Sequence, residues 1–159
     1  PMRSSAASDV YKRQVFIKAR TPVAFGKGII NGKATSGYFD DEGYFLYKKN
    51  FYKEGIKNFS IEIDGWEEKY RGRLSKILAS QKNDHVKFTK IIFSPNGFLT
   101  LEEKDLKTIL LGLDPSLLES QLKIISNLKD QIQEKDFSKK IDNIDITDPT
   151  NPKIKVFKP

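Results

Sequence analysis

The 159-residue chain has no cysteine, one histidine, one methionine and one tryptophan. Without cysteine there are no disulfides and no thiolate-bound metal. His85 stands alone, so a histidine-based zinc site and a nucleophile–histidine pair are also excluded. No apolar run approaches the roughly 20 residues that a membrane-spanning helix takes. Acid, base and nucleophile candidates are scattered rather than clustered, which leaves a small hydrolase without its apparatus. No catalytic, cofactor-binding or metal-binding residue is therefore expected, and no small-molecule substrate. What is present, 38% hydrophobic and 31% charged residues, is enough apolar material for the core of one domain of this length.

Residues 1–14, PMRSSAASDVYKRQ, stand apart from the rest. Ser4 to Gln14 resembles a transposase-type sequencing adapter translated in frame; a disordered tail and an expression-tag scar are the alternatives. The segment is read as non-native and disordered, and the native chain as missing its N-terminal part. Setting it aside takes Lys+Arg from 28 to 25 and Asp+Glu from 21 to 20, so the net charge is +5 instead of +7. The lysines are interspersed with Asp and Glu, without the localised basic stripe of a nucleic-acid groove, and no nucleic-acid partner is expected.

The C-terminal half carries the clearest pattern. Asn96-Gly97 is a turn dipeptide between two apolar runs, residues 86–93 and 98–101. Residues 106–113 form a nearly continuous apolar segment of buried-strand length. Asp114-Pro115-Ser116 opens a helix whose Leu118, Leu122, Ile125, Leu128 and Ile132 recur at spacings of three and four. Either Asp114 caps it with Pro115 at the first helical position, or Ser116 forms a capping box with Glu119. Two strands, 141–146 and 153–157, flank Asp148-Pro149-Thr150-Asn151-Pro152. In the last strand Ile154 and Val156 point one way and Lys153 and Lys155 the other. Lysines guard an edge against aggregation, yet the same edge can accept a chosen partner strand.

Upstream, residues 15–20 read as a strand, and Thr21-Pro22 argues against a central-strand position there. Residues 23–25 resume an extended segment. Gly26, Gly28, Gly32 and Gly37 make the following stretch loop-like, and 37–45 is an aromatic hairpin around an acidic turn. A phosphate loop fails at 26–34, where Lys27 replaces the first glycine and Ala34 the hydroxyl. Asp40-Asp41-Glu42 lacks EF-hand spacing. Residues 59–63 alternate like a short strand. The spacing predicts a helix over 66–80 with Trp66, Tyr70, Leu74 and Ile77 on its core face, and Glu67 paired with Arg71.

In order and spacing these segments resemble the bacterial cell-division family FtsQ/DivIB, its cyanobacterial branch in particular. The resemblance is carried by Lys18-Ala19-Arg20-Thr21-Pro22-Val23-Ala24, the hairpin Gly37-Tyr38-Phe39-Asp40-Asp41-Glu42-Gly43, Gly97-Phe98-Leu99-Thr100-Leu101 and Leu110-Leu111-Gly112. The long helix and Ile144-Asp145-Ile146 with a Pro-bounded terminal strand continue it, and the Trp66–Tyr70 helix and the Asp148–Pro152 ending favour the cyanobacterial branch. It implies an α+β fold, a mixed or antiparallel sheet of the FtsQ β-domain type with two covering helices, near 65–80 and 115–135. Residues 15–22 would be the remnant of the last POTRA strand, and 23–159 the periplasmic β domain. The resemblance further implies a noncatalytic divisome scaffold of the inner membrane, single-pass through an upstream helix, with this part periplasmic at the septum. It would recruit the FtsB–FtsL pair through its C-terminal edge and help control septal peptidoglycan synthesis. The partner surface carried over is Ile144, Asp145, Ile146, Thr147, Asp148, Ile154, Lys155, Val156 and Phe157. The family's Asp-Leu-Arg reads Asp145-Ile146-Thr147 here and a neighbouring aromatic reads Asp148, so Phe157 is expected to serve as the aromatic anchor. The competing reading is another envelope β-sheet module, lipopolysaccharide-transport-like or MORN-like; the latter requires a repeated hairpin that the chain does not show.

Overall fold

The computed structural model describes residues 20–51, 58–83, 85–135 and 140–158. The segment 1–14 and the strand expected over 15–20 fall outside them, Arg20 excepted. The elements in chain order are β1 (Pro22–Ile30), β2 (Lys33–Asp40), β3 (Phe45–Tyr47), β4 (Glu62–Trp66), α1 (Arg71–Asn83), β5 (Phe88–Phe93), β6 (Leu99–Glu103), β7 (Lys107–Gly112), α2 (Leu118–Lys135), β8 (Ile141–Asp145) and β9 (Lys153–Val156). Short 3-10 turns at Glu68–Tyr70 and Pro115–Leu117 lead into the helices. The nine strands form one mixed sheet in the order β3-β2-β1-β4-β5-β6-β7-β8-β9. The protein is thus α+β, a mixed sheet with two helices.

Connection length sets the pairing. Short connections give antiparallel neighbours at β1/β2, β2/β3, β5/β6, β6/β7 and β8/β9. Each helix is the crossover between parallel neighbours, α1 between β4 and β5 and α2 between β7 and β8. The helices touch one another, with Lys76 of α1 3.7 Å from Glu119 of α2. Between them and the sheet lies the core, in which Ile63, Ile91, Leu101, Ile109 and Ile144 meet Leu74 and Ile77 of α1 and Leu118 and Ile125 of α2. Along β6, buried and half-buried residues alternate, the period of a sheet covered on one face.

Several sequence expectations are corrected. The glycine-rich stretch is not a loop: β1 and β2 run through it as a hairpin, turning at Asn31 (φ 51°) and Gly32 (φ 76°). The other glycines are there for close packing. A Cβ at Gly26 would sit 1.8 Å from the Ile63 carbonyl oxygen, so its absence lets β1 approach β4. Pro22 is tolerated because it is only the first residue of β1, which lies inside the sheet between β2 and β4.

Trp66 does not start a helix. It ends β4, and α1 begins at Arg71. The helical spacing of Tyr70, Leu74 and Ile77 is real, and Trp66 matches it only by coincidence. Trp66 is nonetheless buried, stacked on Phe45 with ring centroids 5.8 Å apart. The expected Glu67–Arg71 pair gives way to Arg71–Glu68 at 3.4 Å and Lys69–Glu67 at 3.8 Å. The acidic turn behaves as its composition implies: Asp40 Oδ1 accepts from the amides of Glu42 and Tyr44, at 3.0 and 2.9 Å. Arg20 closes over this turn, bonding Asp40 at 2.6 Å and lying 3.9 Å above the Tyr44 ring.

Candidate functional site

The C-terminal edge is mounted on α2. At the start of that helix, Asp114 Oδ1 accepts from the Ser116 amide (2.9 Å) and hydroxyl (2.7 Å), which selects the Asp114–Pro115 reading over the capping box. These bonds hold the Asp114 carboxyl below its ordinary range. The inward stripe of α2 is not wholly apolar. Gln121, fully buried, donates through Nε2 to the carbonyls of Leu111 (2.7 Å) and Ile146 (2.9 Å), tying the ends of β7 and β8 to the helix. Two turns further, buried Lys129 donates to Glu103 and Asp105, each at 2.5 Å. Glu103 is itself fixed, since its Oε2 accepts from the amides of Asp105 and Leu106 at 2.8 Å. Leu122 and Leu128, expected in the core stripe, pack only at its margin.

The β8–β9 connection is two successive Asp-x-Thr turns. Asp145 Oδ1 accepts from the amide and hydroxyl of Thr147 (3.0 and 2.7 Å), and Asp148 Oδ1 does the same with Thr150 (3.0 and 2.6 Å). The threonine hydroxyls, and then the amides, hold both carboxyls below their usual range. This wiring explains why Thr147 and Asp148 stand at the end of β8: they shape the turn that returns the chain as β9.

Among the described residues β9 pairs with β8 alone, in the register Ile144↔Ile154 and Asp145↔Lys153. Ile154 and Val156 therefore share the helix-covered face with Ile144 and Ile141, while Lys153 and Lys155 lie on the opposite face beside Asp145 and Asn143. Every residue of β9 is exposed, and Phe157 beyond it is 60% exposed. The Phe157 amide bonds inward to the Lys140 carbonyl at 2.9 Å. Backbone alternation then turns the N–H and C=O of Lys155 and Lys153 inward and those of Ile154 and Val156 outward, past the end of the sheet.

The nine residues carried over by resemblance fall into three groups. Ile154, Lys155, Val156 and Phe157 lie together on the open edge. Asp145, Thr147 and Asp148 build the adjoining turns. Ile144 and Ile146 are buried, and β8 is already paired on both sides, so they support the edge from within and offer no side chain to a partner. Gln121, Lys129 and Glu103 were missed. The available signal was Gln121 and Lys129 falling at core-facing positions of the helix, three after Leu118 and four after Ile125. Among the described residues no group of three His, Cys, Asp or Glu side chains is placed to hold a metal, and no helix is long and apolar enough to cross a membrane. Neither protein-family models nor curated proteins gave a match to this chain.

Proposed function

We propose that the chain is a noncatalytic scaffold of the FtsQ/DivIB kind, which takes up a strand from an FtsB–FtsL-type pair along β9 and helps control septal peptidoglycan synthesis. On this reading it works on the periplasmic side of the inner membrane, at the division septum, in a protein anchored by a single upstream helix. The observation that carries the proposal is the outward backbone of Ile154 and Val156 on an edge whose side chains are exposed.

An incoming strand gains backbone hydrogen bonds from those two residues, each worth about 0.5–1.5 kcal/mol net. Selectivity comes from the faces. Ile154 and Val156 extend the apolar layer outward, so the partner places apolar side chains on the helix side. Lys153 and Lys155 favour acidic residues on the other. Phe157 supplies the aromatic contact.

The test is binding of the full chain to the periplasmic FtsB–FtsL segments of the same genome. Proline at 154 removes an outward donor and leaves the inward ladder to β8 intact. Ile154→Pro is therefore expected to keep the parent's melting temperature and weaken binding about tenfold or more. A folded Ile154→Pro variant that binds as tightly as the parent overturns strand addition. Phe157→Ala is expected to weaken binding by a smaller factor.

A further inference from the structure

A second surface, unrelated to β9, surrounds Arg73. A cavity of about 470 Å³ opens between the first turns of α1, the β5–β6 turn and the segment after β7, lined in part by Lys69, Tyr70, Arg73, Lys76, Leu113 and Pro115. Arg73 is 8% exposed. Its terminal nitrogens donate to the carbonyls of Gly97 (2.9 Å) and Gly112 (3.1 Å), and its Nε has no partner. A guanidinium carries five donors and a full charge. Here that charge is desolvated and met only by carbonyl dipoles, because no carboxylate among the described residues forms an ion pair with it. Asp114 acts on it only from a distance, its Oδ1 being engaged by Ser116.

The rim adds two more cations. Lys69 and Lys76 are exposed and pair loosely with Glu67 (3.8 Å) and Glu119 (3.7 Å), contacts of the kind that yield easily to a competing anion. Between them Gly72 faces open space, where a Cβ would meet no atom within 4 Å. The wall beyond the cations is apolar, with Leu113 57% exposed next to Pro115. An inorganic anion uses only the cations; a peptide carboxylate followed by an apolar side chain uses both parts.

We propose that this cavity docks an acidic peptide segment, its carboxylate set against Arg73 between Lys69 and Lys76 and its next apolar side chain against Leu113 and Pro115. The site does not depend on strand addition at β9.

The experiment is a titration of the isotope-labelled full chain with N-acetyl-aspartyl-leucinamide, followed by amide NMR, with inorganic phosphate as the comparison probe. Saturable shifts are expected at Gly72, Arg73, Gly97 and Leu113. Affinity should fall about tenfold in a Lys69→Ala/Lys76→Ala variant of unchanged melting temperature. Gly72→Glu, which sets a carboxylate of the chain's own in the open space, is expected to abolish the shifts, while Ile154→Pro leaves them as in the parent. Absence of saturation, equal affinity for phosphate, or full affinity in the folded double variant overturns the proposal.

Discussion

Lys129 of α2 and Arg73 of α1 are both sunk between a crossover helix and the sheet, 4% and 8% exposed, and they are satisfied in opposite ways. Lys129 reaches two carboxylates. Burial pulls its ammonium down, and the bonds to Asp105 and Glu103, with their charges, more than reverse this, leaving it above its ordinary value. Arg73 has only carbonyls, and burial leaves its guanidinium below its ordinary value. The same topological element thus holds a neutralised charge in one half of the molecule and an unneutralised one in the other. A closed ion cluster serves the fold, whereas a buried cation without a counter-ion beside a cavity is free to serve a ligand.

Removing Lys129 should give the largest effect. Lys129→Met leaves Glu103 buried without its cation, and breaking such a cluster costs about 3–5 kcal/mol, to be read from denaturant unfolding. The cluster also sets a pH signature. Asp105 is held low by its bond from Lys129, so its contribution is present above the unfolded carboxyl value of about 4 and is lost as pH falls through its lower folded value. Lys129 is raised, so its contribution is present below the unfolded ammonium value of about 10.4 and is lost as pH rises through its higher folded value. In Lys129→Met both limbs of the stability profile should flatten; limbs as steep as the parent's would break the assignment.

Arg73→Met should cost less, about 1–2 kcal/mol, because the lost bonds to Gly97 and Gly112 are offset by no longer burying an uncompensated charge. A loss as large as that of Lys129→Met would erase the contrast between the helices. Smallest, and of opposite sign, is Gly72→Ala. It fills open space in α1 and should stabilise by about 0.5–1 kcal/mol.

Legibility followed the range of the interactions. Asn96-Gly97 and Asp114-Pro115 were readable because a turn and a cap are made by neighbouring residues. The exposed last strand was readable from its alternating lysines. The glycines of β1 misled because a glycine admitting a neighbouring backbone looks in sequence like one that turns the chain, and Ile63 is far from Gly26 along the chain. Gly65 disguised β4 in the same way, its missing Cβ clearing the Phe93 carbonyl by what would be 1.9 Å. Ile144 and Ile146 were grouped with the edge because adjacency in sequence does not say that β8 is bordered on both sides. The Lys129 cluster needed residues from β6, the β6–β7 turn and α2, a meeting that no local pattern announces.

The strand order carries a kinetic consequence. Strands β5 to β9 lie side by side in the order in which the chain supplies them, whereas β1 reaches β4 only when Phe25 comes opposite Glu62. Two closures are long and nearly equal, Phe25 to Glu62 across 37 residues and Thr108 to Asn143 across 35, whereas the β1–β2 and β5–β6–β7 hairpins close locally, and local closures come first. The β5–β6–β7 meander is therefore the early unit, onto which the N-terminal hairpin docks from one side through β4 and the β8–β9 edge from the other. In native-state hydrogen exchange the amides of β6, flanked on both sides by local partners, are expected to open at higher free energy than those of β1 or β8, so either flank can unravel and leave the central meander standing.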